Sequence, residues 1–234
     1  MNGHALESTD EKAVWTPRSI QAATFNAQAM RKTGSYIACA KQMFAHGIAL
    51  LGIQEARPFQ CGSQTIESGN GRYLVLSSAA TAAGTHGCQL WVCLTTSWSS
   101  GEEAHRIPST CVFILDSSPR FLLVRIKTPS VFLDVLVVHG PYIRDPNCEE
   151  DAFWADIASR VNARTASSPA LLMLADANAN LRSTKTADVY HRVAFEGFLA
   201  ECGTREATRA STTGILVTVA YTHQTLPTTP LVDM

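Results

Sequence analysis

Asp176 and Asn178 stand two residues apart at the end of the run Ala170-Leu171-Leu172-Met173-Leu174-Ala175. On an extended chain, residues two apart project to the same side. The pair therefore offers a carboxylate and a carboxamide together, suited to a hard cation or to a phosphate. Asp and Asn are also common turn residues, and a turn is the competing reading of the pair taken alone. The same design recurs: Ala22–Phe25 runs into Asn26, Ile48–Gln54 into Glu55, and Phe132–Val138 into His139. Taken singly, Glu55 could be a solvated strand end, His139 before Gly140-Pro141 a turn cap, and Asn26 structural. Together they put polar groups at four strand ends, where open α/β sheets bind ligands. The set holds carboxylates, amides and an imidazole, without thiolate, which suits magnesium or manganese better than zinc. One or two carboxylates plus substrate phosphate oxygens is a normal magnesium arrangement. Such an ion stabilises charge on a phosphoryl oxygen and activates water, and an imidazole nearby can move a proton or hydrogen-bond the phosphate. Metal-assisted phosphoester hydrolysis is the chemistry these residue types favour.

The elements that must position these groups follow from periodicity. The continuous apolar run before Asp176 reads as a strand buried on both faces. Residues 19–28 read as a first strand and 48–54 as a second. Between them, Tyr36, Ala40, Met43 and Phe44 share one helical face, and Gly47 is placed to stop that helix. Residues 57–72 are rich in Gly, Ser and Pro and read as a loop. Strand-like segments follow at 72–77, 88–95, 111–116, 121–128 and 131–139, separated by turn residues and without intervening helices. Such a succession suggests antiparallel meanders, with a hairpin at Pro129-Ser130. A helix is predicted over 148–163, with Asn147 as N-cap, acidic Glu149, Glu150 and Asp151 in its first turn, and Phe153, Ile157 and Val161 as its buried stripe. A further helix spans about 187–202, with Gly203 as its stop, and a β-rich run covers 215–222. Helices and runs of strands mix along the whole length. The expected fold is therefore α/β, one domain in which two packed sheets are covered by helices, preceded by a loose lead-in over residues 1–17.

Composition narrows the class. The chain has 234 residues, 46% of them hydrophobic and 17% charged, with 19 Lys plus Arg against 20 Asp plus Glu. A near-zero balance argues against a basic arm that coats nucleic acid, though not against a local basic groove. The seven cysteines are scattered and contain no C-x-x-C, which argues for free thiols in a reducing compartment rather than a disulfide framework or a zinc site. The N-terminus lacks the apolar core of a signal peptide, and no run approaches a membrane span. A soluble, intracellular protein is expected.

In order and spacing, the motifs resemble the endonuclease/exonuclease/phosphatase superfamily, which includes pancreatic-type deoxyribonuclease, abasic-site endonucleases and the endonuclease domains of non-LTR retrotransposons. The carrying residues are Ala-Thr-Phe-Asn26, Gly-Ile-Gln54-Glu55-Ala-Arg57, Val-Val-His139-Gly-Pro141-Tyr142, Ala175-Asp176-Ala177-Asn178, Tyr221-Thr222-His223 and Leu231-Val232-Asp233-Met234. They span residues 18–234. The Thr-Phe-Asn start and the Gly87-Cys88-Gln89-Leu90-Trp91-Val92 segment look most like retroelement endonucleases. The resemblance implies a four-layer DNase I-like sandwich with two mixed or antiparallel sheets, a magnesium or manganese cofactor, and DNA as substrate. A monomer is favoured, nuclear if it acts on genomic DNA.

The resemblance also implies roles. Glu55 would bind the metal with Asn26 helping to orient it or the phosphate. Asp176 would position or deprotonate the attacking water. Asn178 would hold the scissile phosphate, with Thr222 a further substrate contact. His139 would contact the phosphate or protonate the leaving oxygen, and Asp233 would orient a terminal catalytic His. Three departures are visible. Ala175 replaces the usual Gly before Asp176, Met234 stands where an aromatic is expected, and the family's final Ser-Asp-His does not occur before Met234. A C-terminally truncated domain and a weak catalyst are the corresponding expectations. A small-molecule or lipid phosphoesterase of the same superfamily, and an inactive remnant that keeps the fold, are the alternatives.

Overall fold

The computed structural model describes residues 21–69, 71–95, 106–129, 131–142, 150–164, 169–178, 186–202, 205–206 and 216–219. The strands are β1 (Ala22–Asn26), β2 (Leu50–Gln54), β3 (Gly62–Ser68), β4 (Gly71–Ser77), β5 (Gln89–Cys93), β6 (Val112–Ser118), β7 (Phe121–Lys127), β8 (Phe132–His139), β9 (Ala170–Asp176), β10 (Arg205–Glu206) and β11 (Leu216–Val219). The helices are α1 (Thr33–Ala45), α2 (Glu150–Asn162) and α3 (Thr186–Glu201). One sheet runs β1-β2-β5-β4-β3 and the other β10-β11-β9-β8-β7-β6. Within them β3–β4–β5 and β6–β7–β8 are antiparallel meanders, whereas β1 pairs parallel with β2 and β8 parallel with β9.

Period-two alternation assigns each strand residue to a layer. From β2, Leu50 enters the core between the sheets while Leu51 and Ile53 face outward toward Met43 of α1. From β9, Leu172 and Leu174 enter the same inner core, while Leu171, Met173 and Ala175 face Trp154, Ile157 and Phe195 of α2 and α3. From β8, Val135 and Val137 go inward, and Leu136 and Val138 outward. Four layers result: helix, sheet, sheet, helices. This is the expected α/β sandwich. The same parity, carried to the strand ends, puts Asn26, Gln54, His139 and Asp176 on the inner side. The apolar layer between the sheets thus gives way to a polar one at the carboxyl ends of β1, β2, β8 and β9.

The helix stop at Gly47 is as expected. Its φ is +62°, and the amides of Gly47 and Ile48 donate to the carbonyls of Phe44 (3.2 Å) and Met43 (2.9 Å). A glycine takes this left-handed conformation without steric cost.

Three expectations need correction. The Gly/Ser/Pro-rich stretch 57–72 is not all loop, because Gly62–Ser68 forms β3, an edge strand paired along its length with β4. In α2 the buried stripe is Trp154, Ile157, Ala158 and Val161, and Phe153 only packs against it. In α1, Phe44 is 50% exposed, and Ala40 and Met43 carry the buried face.

None of the described cysteines forms a disulfide, with Cys88, Cys93 and Cys202 buried and Cys61 exposed. Burial pushes the Cys39 thiol up to about 12 and, with Glu201 adding to the effect, the Cys202 thiol up to about 11. These thiols stay protonated at neutral pH and are poor nucleophiles or metal ligands. Among the described residues no helix is long and apolar enough to cross a membrane. The lead-in over 1–17, the N-cap at Asn147 and the stop at Gly203 lie outside the described residues.

Candidate active site

The site is built where the two sheets meet. In register, Asn26 stands beside Gln54 across β1 and β2, and His139 beside Asp176 across β8 and β9. Gln54 is fully buried and ties the sheets together. Its Nε2 donates to Thr24 Oγ1 at 2.8 Å and across the interface to the Leu174 carbonyl at 3.0 Å. A buried amide is tolerated because its donors are satisfied, and here the bonds also fix the spacing of the strands carrying Asn26 and Asp176.

Directly above this tie, the Asn26 side chain bridges two carboxylates. Its Nδ2 donates to Glu55 Oε1 at 3.1 Å and to Asp176 Oδ2 at 2.8 Å, while its Oδ1 accepts the Gln28 amide at 3.1 Å. Asp176 Oδ1 in turn accepts the Asn178 amide at 3.2 Å. The His139 side chain is only 2% exposed, and its Nε2 lies 3.4 Å from Glu55 Oε1. The residues predicted from sequence at Asn26, Glu55, His139, Asp176 and Asn178 thus come together. Thr222 and Asp233 lie outside the described residues.

Strict alternation would carry Glu55 to the outer face of its sheet, away from Asp176. It is returned by its backbone, which has φ +52°. All the non-glycine residues with positive φ among those described, Gln28, Glu55, Arg57, His86 and Asn178, lie in the loops around this site. Such conformations cost of order 1–3 kcal/mol each and persist only where surrounding contacts over-determine them. Here those contacts include the amides of Ala56 and Arg57, which donate to the carbonyls of Gly87 and His86, both at 2.9 Å.

Burial raises the Glu55 pKa, but the Asn26 hydrogen bond, the nearby His139 charge and the Arg57 guanidinium (3.2 Å from Oε2) outweigh it. The carboxyl is held below its ordinary value and is ionised at neutral pH. A group depressed in this way favours the folded state above its ordinary pKa, and that contribution fades as pH falls through the lowered value. Among the described residues no three His, Cys, Asp or Glu side chains form a ready-made metal cage. The carboxylates of Glu55 and Asp176, both oriented by the Asn26 Nδ2, nevertheless fit a hard cation that keeps several waters and takes one or two protein carboxylates.

Sequence reading singled out no role for four groups in this site. Gln54 is the cross-sheet tie. Arg57 pairs with Glu55, and its Nε is buried without an acceptor. The His86 ring sits 5.4 Å from that of His139. The Arg120 carbonyl accepts the His139 amide at 2.8 Å, and its Nη1 donates to the Gly140 carbonyl at 3.2 Å. The doublets Gln54-Glu55 and His86-Gly87 were visible, but nothing local marked them as neighbours.

Asn178 also has a structural task, since its Nδ2 donates to the Gly140 carbonyl at 2.8 Å. The Gly140 amide donates to the Asp176 carbonyl at 2.7 Å, so the chain after His139 is stitched to the chain after Asp176. No side chain fits between them. A Cβ on Gly140 would fall 2.6 Å from the Ala177 carbonyl oxygen and 3.0 Å from Trp154 Cζ2. Gly140→Ala is therefore expected to part His139 from Asp176 and to lower any turnover this site supports about 10²-fold, the effect a displacement near 1 Å can have at a reacting centre. Steady-state rates set against urea denaturation midpoints would check that the loss exceeds any change in stability.

Compared with solved structures, the chain is similar to the endonuclease domain of TRAS1, a telomere-specific non-LTR retrotransposon. The two share 16% identity at a TM-score of 0.53, over 81% of this chain and 73% of that one. It is also similar to the catalytic domain of Xenopus laevis APE2, at 14% identity and a TM-score of 0.50, over 76% of this chain and 67% of that one. Neither protein-family models nor curated protein sequences give a match. At these identities the likeness is one of fold, the four-layer α/β sandwich described above.

Proposed function

We propose that the chain is a divalent-metal-dependent phosphodiester hydrolase, a DNA endonuclease of retroelement origin, nuclear if it acts on genomic DNA. The observation that carries this reading is the Asn26 amide bridging Glu55 and Asp176 from opposite sheets, with buried His139 against Glu55. Glu55, with Asn26 helping to orient it, would hold magnesium or manganese, which when bound supplies charge stabilisation at the phosphoryl oxygen and a more acidic water. Asp176, its two oxygens oriented by Asn26 and by the Asn178 amide, takes the proton of the attacking water. A new bond forms from water oxygen to phosphorus, the bond from phosphorus to the leaving sugar oxygen breaks, and His139 would protonate that oxygen. The likeness in fold to a retrotransposon endonuclease domain supports the substrate and the origin.

The test is nicking of supercoiled plasmid by the purified chain with magnesium and with EDTA, alongside release of nitrophenol from a small nitrophenyl phosphoester. Nicking that magnesium supports and EDTA abolishes, with little turnover of the small ester, is the expected result. Turnover of the small ester without nicking would move the assignment to a small-molecule phosphoesterase. A folded chain inert in both assays would point to a remnant that has kept only the fold.

A further inference from the structure

Beside Glu55 the surface opens into a cleft of about 290 Å³, close to the lower end of the range for small-ligand pockets. Its wall includes Arg31, Tyr36, Arg57, Phe59, Gln64 and Ser77. Arg57 joins it to the site, since one guanidinium nitrogen is on Glu55 while its Nε is buried without an acceptor. Phe59 is 86% exposed, which burial of apolar surface cannot explain. It is nevertheless held in place, because the Arg31 guanidinium lies 5.2 Å from the ring centroid and its Nη2 donates to the Gly84 carbonyl at 3.0 Å. A cation over one face steadies an aromatic ring and leaves area free for another flat group.

We infer that this cleft is a subsite for an unpaired nucleoside next to the scissile phosphate, with its base stacked on Phe59. Two guanidinium groups suit the negative backbone on either side, and an exposed ring suits any base, because every base has a π-face. A base within a duplex has both faces covered by its neighbours, so the subsite takes a frayed, flipped or single-stranded nucleotide. The inference rests on the proposed nucleic-acid substrate and adds a specificity-determining residue to it.

The test is binding of a fluorescein-labelled 12-nucleotide single strand in EDTA at fixed ionic strength, read by anisotropy, so that neither metal nor cleavage enters. The chain, Phe59→Ala and Phe59→Trp are compared on this strand and on one of equal length made of abasic residues. Phe59 is exposed, so neither substitution disturbs the core. Phe59→Ala is expected to weaken binding of the normal strand on the order of tenfold, Phe59→Trp to restore it, and the abasic strand to bind all three chains alike. Equal binding of the normal strand by the chain and Phe59→Ala would overturn the subsite, as would the same loss on the abasic strand. The readout separates the two proposals. Nicking with no Phe59 effect sinks the subsite alone, and a Phe59 effect without nicking sinks the hydrolase alone.

Discussion

Plasmid nicking by the Asp176→Ala chain is expected to fall by about 10²–10⁴-fold, the usual contribution of a positioned general base, and by Asn26→Ala about 10²-fold. The two losses have different origins. Asp176 is held by two donors, Asn26 Nδ2 at 2.8 Å and the Asn178 amide at 3.2 Å, so in the proposed mechanism its truncation removes a fixed proton acceptor. Asn26 accepts no proton from water. Its amide is what allows Glu55 and Asp176 to sit within reach of one donor, and without it the two carboxylates lose the donor they share. Burial already works to raise the Glu55 pKa, and the Asn26 hydrogen bond is the foremost of the contacts that lower it. Removing that contact raises the pKa, and Asn26→Asp raises it further by adding a like charge. In the proposed role Glu55 must be ionised to hold the metal, so the acid limb of the pH–rate profile is expected to move to higher pH in both Asn26 variants. Rate profiles, with carboxyl NMR of Glu55 in the metal-free chain, measure this directly. An acid limb unmoved in Asn26→Ala would show that Asn26 does not set the charge of Glu55.

How far the sequence discloses the site depends on whether each group is placed by its own strand or by another. Asn26, His139 and Asp176 each end an apolar run, as in Leu171-Leu172-Met173-Leu174-Ala175, so their place at a strand end was legible, but not the layer each faces, because an unbroken apolar run carries no alternation. Glu55 was legible as a polar residue after an apolar run, but not its left-handed backbone, which tertiary contacts with residues 86–87 impose. Arg120 and His86 reach the site from turns between strands, and nothing local marks a turn that lies beside a histidine distant in sequence. Strand β3 escaped notice for another reason. Gln64, Thr65 and Glu67 are exposed, so the strand is held by its backbone ladder to β4 rather than by an apolar face, and no side-chain period betrays it. In α2, Phe153 and Trp154 are adjacent and both aromatic. Only packing against Phe195 and Phe198 shows that the tryptophan is the one turned inward.

Gly52→Val is expected to abolish folding or nearly so, although local propensity predicts the reverse. Valine is among the best strand formers and glycine among the poorest, so on propensity alone the change would stabilise β2 by a fraction of a kcal/mol, up to about 1 kcal/mol. Gly52 faces the opposite sheet. A Cβ built there falls 2.6 Å from Leu174 Cβ, 3.2 Å from Leu174 Cδ1 and 3.3 Å from Val137 Cγ1. The nearest of these is the Leu174 Cβ, bonded directly to the backbone of β9, not the end of a side chain that could rotate away. The sheets must therefore separate, and two residues along the 3.0 Å bond from Gln54 to the Leu174 carbonyl opposes this. Overpacking by one methyl costs about 1–3 kcal/mol, which is the loss expected for Gly52→Ala. Valine adds two more carbons to the same gap, against a total stability of roughly 5–15 kcal/mol for a typical domain. Urea denaturation of both variants tests the magnitude, and a second substitution tests the cause. Leu174→Ala keeps the offending Cβ and should not rescue Gly52→Ala. Leu174→Gly removes it, so its effect combined with Gly52→Ala should be smaller than the sum of the two single losses. Gly52→Ala should also lower nicking more than its stability loss accounts for, because the spacing it forces apart is the spacing that lets the Asn26 amide reach both Glu55 and Asp176.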